Sequence, residues 1–363
     1  MSEPGLTDPQ PPGTKPRPSR TRSLLSTLGR VLLSMVLLGL LLYLFRDRLP
    51  DVAARIREAR PLDLALALGW YVVFVIVSSW RWKILLQARG LRFSTWYLSR
   101  VFVLSLFFCK LLPTSIGGDV FRITYTAPKD RAAEAFSATL LDRLIGFVSL
   151  LFLAVVVSLG LFALSAEARM LELPILGIRF RGFGIVALLA AGLVGLVLVT
   201  LVFFNDAAHR LAVRVFGRIR FLKIGERLDK VYDAVKQFRH HRGALGLSFL
   251  TGIGVQAALA MSWHSVAAAL GGTVPLPYYF VFIPLLNIVV NIPTIGGIGV
   301  REWAFVLFFT PAWLAGRLSQ ELALATALLF LALDLIFALL GGVLFAVMRR
   351  STDGADALRP EGR

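Results

Sequence analysis

Cysteine, histidine and acidic residues are scarce in this chain of 363 residues. Its single cysteine, Cys109, excludes an internal disulfide and a metal site built from several cysteines. Charged residues make up 17% of the sequence, whereas a soluble domain has about 25%. H-E-x-x-H, C-x-x-C, P-loop and G-x-S-x-G motifs are all missing. The composition therefore excludes an ordinary globular enzyme, and we expect no cofactor and no metal.

Apolar and basic residues are abundant instead. Hydrophobic residues make up 57% of the chain, and 39 Lys and Arg face 22 Asp and Glu, for a net charge of +17. The basic residues lie between apolar runs rather than on one face, which is typical of the positive-inside bias of membrane proteins. We therefore expect a polytopic membrane protein of the all-α class, without a nucleic-acid partner.

Six apolar runs reach or approach the roughly 20 residues that a membrane-spanning helix needs. They lie at 24–45, 64–80, 144–166, 185–204, 244–270 and 322–347. The proline-rich basic segment 1–23 cannot bury a core, so we expect a disordered cytoplasmic tail there. We also expect residues 24–348 to form the membrane domain and residues 349–363 to form a second cytoplasmic tail.

Two further apolar segments fit a full span badly. Segment 101–112 is short and ends at Pro113, and segment 280–310 is interrupted at 293–302 by glycines and charges. The basic loops 81–100 and 205–243 should be cytoplasmic, so each interrupted segment must return to the face from which it entered. The sequence thus predicts two opposed re-entrant hairpins. The loop 46–61, with five arginines, is an exception because this topology places it outside.

The tips of the two predicted hairpins resemble each other. One reads PTSIGGDVFR at 113–122 and the other reads PTIGGIGVRE at 293–302. The surrounding order of span, hairpin and span also recurs, at 64–166 and at 244–347. We therefore predict an inverted repeat, an arrangement that places a substrate site near the midplane. The alternative is that glycine and proline simply mark any membrane turn.

The chemistry of the tips favours an anion. We expect a second half-helix to start near Asp119 in one tip and near Gly299 in the other, with Arg122 and Arg301 in its first turn. Exposed N–H groups and the positive end of a helix dipole attract anions, and arginine adds forked donors suited to phosphate. The glycines that would allow the reversal are Gly117, Gly118, Gly296, Gly297 and Gly299. The sequence predicts one anion site built from both tips.

Carboxylates close to these arginines have several candidate roles. Asp119 and Glu302 are candidates for helix caps, proton carriers or salt-bridge partners of the arginines. Asp334 lies near the centre of a span, where an isolated charge costs about 2.5–3.5 kcal/mol on insertion scales. We therefore expect Asp334 to be neutral, hydrated or paired with a tip arginine.

Three more charged residues, and one histidine, have a structural and a functional interpretation. Lys110, Asp142 and Arg143 are candidates for gating, coupling or head-group binding. Lysine and arginine near a helix end also reach the interface without any function. His264 lies on an apolar helix and is best interpreted as a hydrogen-bonded core residue.

Three stretches carry a resemblance to a known family. They read LLPTSIGGDVFR at 111–122, LLDRLIG at 140–146 and NIPTIGGIGVREWAF at 291–305. With them the chain resembles the lysylphosphatidylglycerol synthase transmembrane-region family, also called flippase-like, over residues 25–348. The resemblance implies movement of lipids or lipid-linked head groups between leaflets, and it favours a functional role for Arg143. We do not expect the aminoacyl-transferase domain of the name-giving members, because only about 15 hydrophilic residues follow the last span.

Taken together, the sequence predicts translocation of an anionic phospholipid or a polyprenyl-phosphate type of lipid across the cytoplasmic membrane. The alternative is a membrane-embedded lipid-modifying enzyme, such as a polyprenyl-phosphate-dependent glycosyltransferase, although loop 46–61 lacks a D-x-D acid pair. A non-transporting scaffold is a third interpretation. A homo-oligomer and a separate synthase partner both stay open.

Overall fold

A computed structural model describes most of the membrane domain. The described residues are 32, 35–36, 38–111, 117–127, 131–165, 169, 172–175, 178–205, 210, 232, 235–289, 297–310 and 318–350. In chain order, the helices are α1 (Leu49–Arg57), α2 (Pro61–Ala88), α3 (Thr95–Leu111), α4 (Gly117–Thr126), α5 (Ala132–Leu164), α6 (Gly182–Phe204), α7 (Arg242–Ala269), α8 (Leu276–Val289), α9 (Val300–Phe309) and α10 (Gln320–Arg350). Short 3-10 turns occur at Arg46–Arg48 and Gln237–His240.

Within these residues, α2, α5, α6, α7 and α10 are long and apolar enough to cross a membrane. The prediction of a helical, multi-pass membrane protein is therefore confirmed. Residues 38–44 are helical as well, but half of the predicted span 24–45 lies outside the described residues, as do the tail 1–23, most of loop 205–243 and residues 351–363.

Two helices are longer than the apolar runs that predicted them. Helix α2 continues to Ala88 instead of stopping at 80, and α5 begins at Ala132 instead of 144. The predicted loop 81–100 is consequently wrong over its first eight residues, and it is wrong over 95–100 as well, because α3 begins at Thr95. A span predicted from hydropathy ends at the first charged residues. The helix itself continues past them where those residues form ion pairs. Arg81 and Asp142 therefore lie inside helices and are buried.

The two interrupted segments each form a pair of short helices, α3 with α4 and α8 with α9. Residues 112–116 and 290–296, with Pro113, Pro293 and Gly296, lie outside the described residues. Arg122 was predicted to lie in the first turn of its half-helix. Helix α4 begins at Gly117, so Arg122 is its sixth residue and lies beyond the first turn. Arg301 is the second residue of α9, as predicted.

A two-stranded antiparallel ribbon is the only β-structure in the described part of the chain. Strand β1 (Glu172–Ile175) pairs with β2 (Ile178–Arg181), with Glu172 opposite Arg181. Isoleucine favours extended backbone, and Ile175 ends β1 while Ile178 begins β2. Strand β2 leads directly into α6. The hydropathy pattern does not predict this ribbon, because two runs of four residues are too short to stand out in it.

Two buried clusters of apolar side chains support the short helix pairs. In the first, the Trp263 ring stacks on Phe305 of α9 and Phe330 of α10, with ring centroids 4.6 and 3.6 Å away. In the second, Trp82 of α2 packs with residues of α5, including Leu141. Aromatic stacking of this kind adds about 0.5–1.5 kcal/mol to the burial itself. Buried aromatic side chains thus take part in the packing beside both short helix pairs.

Candidate functional site

Charged side chains converge on Asp142 inside the helical core. Asp142 Oδ1 accepts a hydrogen bond from Arg81 Nε at 2.7 Å, and its Oδ2 accepts one from Arg122 Nη2 at 2.9 Å. These three residues come from α2, α4 and α5, and all three are buried. The carboxylate therefore ties one short helix to two long ones.

Asp119 completes this first cluster. It forms an ion pair with Arg143 Nε, and its Oδ1 lies 3.6 Å from Arg122 Nη1. We call Arg81, Asp119, Arg122, Asp142 and Arg143 cluster 1. Its three arginines face two carboxylates, so the group carries one excess positive charge, and Arg122 lies between the two acids.

Two donors of cluster 1 are unused. The Nε of Arg122 and the Nη1 of Arg81 are buried and have no hydrogen-bond partner among the described residues. The Arg122 guanidinium also lies 4.2 Å from the centroid of the Trp82 ring and 5.5 Å from that of Phe102. Such rings hold a cation in place but accept no conventional hydrogen bond, so they do not satisfy these N–H groups.

A second group of charges surrounds Asp334 of α10. Its Oδ2 accepts hydrogen bonds from Arg301 Nη1 at 2.6 Å and lies 2.7 Å from Lys110 Nζ. Its Oδ1 accepts a hydrogen bond from the Tyr71 hydroxyl at 2.6 Å. The predicted pairing of Asp334 with a tip arginine is therefore confirmed. Charge-assisted contacts from three directions explain how a span tolerates this buried acid.

Glu302 fixes the start of α9 beside this acid. Its Oε2 accepts a hydrogen bond from the Gly299 N–H at 2.6 Å, and its Oε1 accepts one from Arg301 Nε at 3.2 Å. Gly299 has a φ of +85°, which only glycine adopts readily. We call Tyr71, Lys110, Arg301, Glu302 and Asp334 cluster 2. Its positive and negative charges balance, and Arg301 Nη2 is buried without a partner in the described part of the chain.

The two tip arginines bind different acids, and each pairs with the acid of the long helix that follows it. One anion site built from both tips stays a prediction. Tyr71 of cluster 2 and Arg81 of cluster 1 are ten residues apart on α2, which corresponds to about 15 Å along a helix axis. Two charged clusters therefore lie at two levels along the same helix.

The end of α3 connects the two levels. Lys110 belongs to cluster 2, and the preceding Cys109 packs against Gly118, next to Asp119 of cluster 1. Close packing requires a glycine there, because a Cβ on Gly118 would lie 2.6 Å from the Ser105 carbonyl oxygen. A shift of α3 against α4 would thus move side chains of both clusters.

The structure brings together most of the side chains that the sequence singled out. Those in a cluster are Lys110, Asp119, Arg122, Asp142, Arg143, Arg301, Glu302 and Asp334. Gly117 opens α4, and Gly297 adopts a φ of +77° ahead of α9. Gly296 lies outside the described residues. His264 contacts the Tyr279 ring edge-on, at 5.4 Å between centroids, and belongs to neither cluster.

Sequence reasoning missed Tyr71 and Arg81. Arg81 directly follows an apolar run, and the sequence assigns it to the basic loop 81–100. The two serines and two tryptophans beside it are the only signal that it lies inside a helix. Tyr71 carries no signal, since one tyrosine in an apolar helix is common. Within the described residues, no group of three or more His, Cys, Asp or Glu side chains is placed to hold a metal ion.

Comparison with known proteins agrees with the helical membrane architecture. No curated protein matches the chain. Residues 27–342 match a family described as the lysylphosphatidylglycerol synthase TM region, which indicates a membrane function related to lipids. The match covers most of the sequence and both clusters, so the chain belongs to the lysylphosphatidylglycerol synthase TM region family.

Proposed function

We propose that this protein moves an anionic lipid, or an anionic lipid-linked head group, between the leaflets of the cytoplasmic membrane. One observation carries the proposal. Arg122 and Arg301, at corresponding places in the two tips, each have a buried N–H group without a partner among the described residues. Buried donors are nearly always satisfied in folded proteins, so these positions favour a ligand that supplies acceptors.

A phosphate group suits these donors best. Its oxygens accept several charge-assisted hydrogen bonds, and a guanidinium presents its N–H groups in a matching fork. In cluster 2 the start of α9 adds the positive end of a helix dipole beside Arg301. In cluster 1 the excess of one positive charge attracts an anion.

The lengths of the helices support an inverted repeat. Helices α2 and α7 both have 28 residues, α4 and α9 both have 10, and α5 and α10 have 33 and 31. Helices α3 and α8 have 17 and 14 residues. We propose that the chain has six spans, the first at 24–45, and that the two short helix pairs are opposed re-entrant hairpins. The basic loops and both tails would be cytoplasmic.

Two clusters at different levels suit stepwise passage of a head group. The rise of about 15 Å between Tyr71 and Arg81 is half of a hydrocarbon core of about 30 Å. A phosphate could exchange between Arg122 and Arg301 while its chains stay in lipid. The carboxylates of both clusters, together with Lys110, would then gate or couple the exchange.

Reconstituted vesicles test this function. Purified protein in liposomes with a fluorescent phosphatidylglycerol should expose inner-leaflet lipid to a membrane-impermeant quencher. Arg122→Gln and Arg301→Gln should each slow the exposure by about tenfold or more, because each removes a charge-assisted contact to phosphate. Arg55→Gln is the matched control, since Arg55 lies exposed on α1.

Three results would contradict parts of the proposal. Normal rates in both tip variants would show that the arginines do not bind the lipid. No movement of phosphatidylglycerol or of a polyprenyl phosphate, with or without a proton gradient, would contradict lipid translocation itself. Turnover of a lipid-linked sugar by the purified protein would favour the glycosyltransferase alternative.

A further inference from the structure

Every carboxylate that holds a tip arginine also has a second positive or N–H partner. Asp142 pairs with Arg81 as well as with Arg122, through its two different oxygens. Asp119 pairs with Arg143 as well as with Arg122. The same arrangement recurs in cluster 2, where Asp334 pairs with Lys110 as well as with Arg301.

We propose that Arg81, Arg143 and Lys110 are retaining cations, which keep these carboxylates paired while the tip arginine turns to the lipid phosphate. This inference rests on the proposed function. The retaining cations are positioning residues, because they act through the carboxylates and not through the lipid. Arg122 and Arg301 are then the mobile cations of the two clusters.

When a tip arginine moves to a ligand, the carboxylates that held it need other partners. An unpaired buried carboxylate is costly, and removing one partner of a buried pair normally creates one. If Arg122 leaves cluster 1, the pairs Arg81–Asp142 and Arg143–Asp119 both stay neutral. The free energy of binding the lipid phosphate is therefore not reduced by the cost of leaving a buried carboxylate unpaired.

Cluster 2 behaves in the same way. If Arg301 leaves, Asp334 keeps both Lys110 and the Tyr71 hydroxyl. Glu302 keeps the Gly299 N–H at the start of α9, where the helix dipole also favours a negative charge. In both halves the arginine at the tip can thus leave while every acid keeps a partner.

Thermal unfolding of the purified full-length protein in detergent tests this redundancy without any lipid substrate. Arg81→Gln and Arg122→Gln should each lower the unfolding midpoint modestly, because Asp142 keeps one arginine. The double variant should lose more than the sum of the two, since Asp142 then has no cation. Adding Asp142→Asn to the double variant should recover most of that loss.

Transport measurements test whether the retaining role matters for function. With Arg81→Gln, Arg122 becomes the only cation on Asp142, so the lipid concentration for half-maximal rate should rise by about tenfold. Arg81→Lys should restore the affinity in part, because it restores a charge. Arg81→Gln with Asp142→Asn should return it to near the wild-type value, which a merely structural defect would not do.

Each outcome separates this inference from the proposed function. An additive thermal cycle, or a double variant Arg81→Gln/Asp142→Asn as impaired as Arg81→Gln alone, would overturn the retaining role even if the wild type transports lipid. Normal affinity in Arg81→Gln would overturn it as well. A wild-type protein that moves no lipid would contradict the proposed function, and the thermal cycle would still decide whether the second cation is redundant.

Discussion

Arg301 and Asp334 lie 33 residues apart in the sequence and form a buried ion pair of 2.6 Å. Arg122 and Asp142 repeat this relationship at 2.9 Å in the other half of the chain. In both pairs an arginine on a short helix binds Oδ2 of an acid inside the long helix that follows. The two pairs therefore anchor the two short helices to the membrane-spanning core.

Loss of the acid should be costly even though asparagine has nearly the same shape. Asp334→Asn leaves Arg301 and Lys110 without the carboxylate that both contact. Removing one partner of a buried pair typically costs about 3–5 kcal/mol. Thermal unfolding in detergent, followed by tryptophan fluorescence, should show a clearly lower midpoint for this variant.

Asp47→Asn is the matched control for this change. Asp47 is 89% exposed and lies 3.6 Å from Arg46 at the surface, where ion pairs contribute little. Its unfolding midpoint should stay at the wild-type value. If both variants lost stability equally, the pairing around Asp334 would not be a specific anchor.

Tyr71→Phe should isolate one hydrogen bond of cluster 2. The substitution removes the hydroxyl that donates to Asp334 Oδ1 but keeps the ring, which packs on Phe337 at 4.4 Å between centroids. A hydrogen bond to a charged group contributes about 1.5–3 kcal/mol. The loss of unfolding free energy should therefore be measurable and smaller than that in Asp334→Asn.

Tyr43→Phe serves as the comparison for this variant, because Tyr43 is exposed. Denaturation by heat or by a chemical denaturant should not distinguish it from the wild type. A Tyr71→Phe protein as stable as Tyr43→Phe would show that the hydroxyl contributes nothing to holding Asp334.

Much of the architecture was predictable from hydropathy, because a helix that crosses a membrane must be apolar along most of its length. Five of the six predicted spans lie within α2, α5, α6, α7 and α10, except for a residue or two at the ends of two of them. The ends of α2 and α5 were not predictable in this way. The parts that extend beyond the apolar runs, 81–88 of α2 and 132–143 of α5, carry charges whose partners, such as Asp142 for Arg81, are far away in the sequence.

The charged clusters were predictable in kind but not in number. An isolated acid in a span must be neutral, hydrated or paired, so the ion pair of Asp334 with a tip arginine was one of three outcomes that the sequence predicted. The separation into two clusters did not follow, because it depends on which long helix each tip contacts. Gly118 is an example of a contact that the sequence does not predict. A glycine in a tip motif does not indicate that α3 packs directly against it.

Gly118→Ala should therefore disturb the tip that carries Arg122. The added Cβ would lie 2.6 Å from the Ser105 carbonyl oxygen and would also meet the Cys109 sulfur. Relief requires α4 to move away from α3, and forced overpacking of this kind costs about 1–3 kcal/mol. The movement should displace Asp119 and Arg122, slow lipid movement, and speed the reaction of Cys109, the single cysteine, with a maleimide.

Gly160→Ala separates this effect from the general effect of an alanine in a helix. Gly160 lies in α5 with nothing within 4 Å of the added Cβ, so the change should leave transport and Cys109 labelling unaltered and stabilise the helix slightly. Equal labelling rates in the two alanine variants would show that α3 and α4 do not depend on this contact. Faster labelling with unchanged transport would instead show that the contact holds the helices together without positioning Arg122 for the lipid.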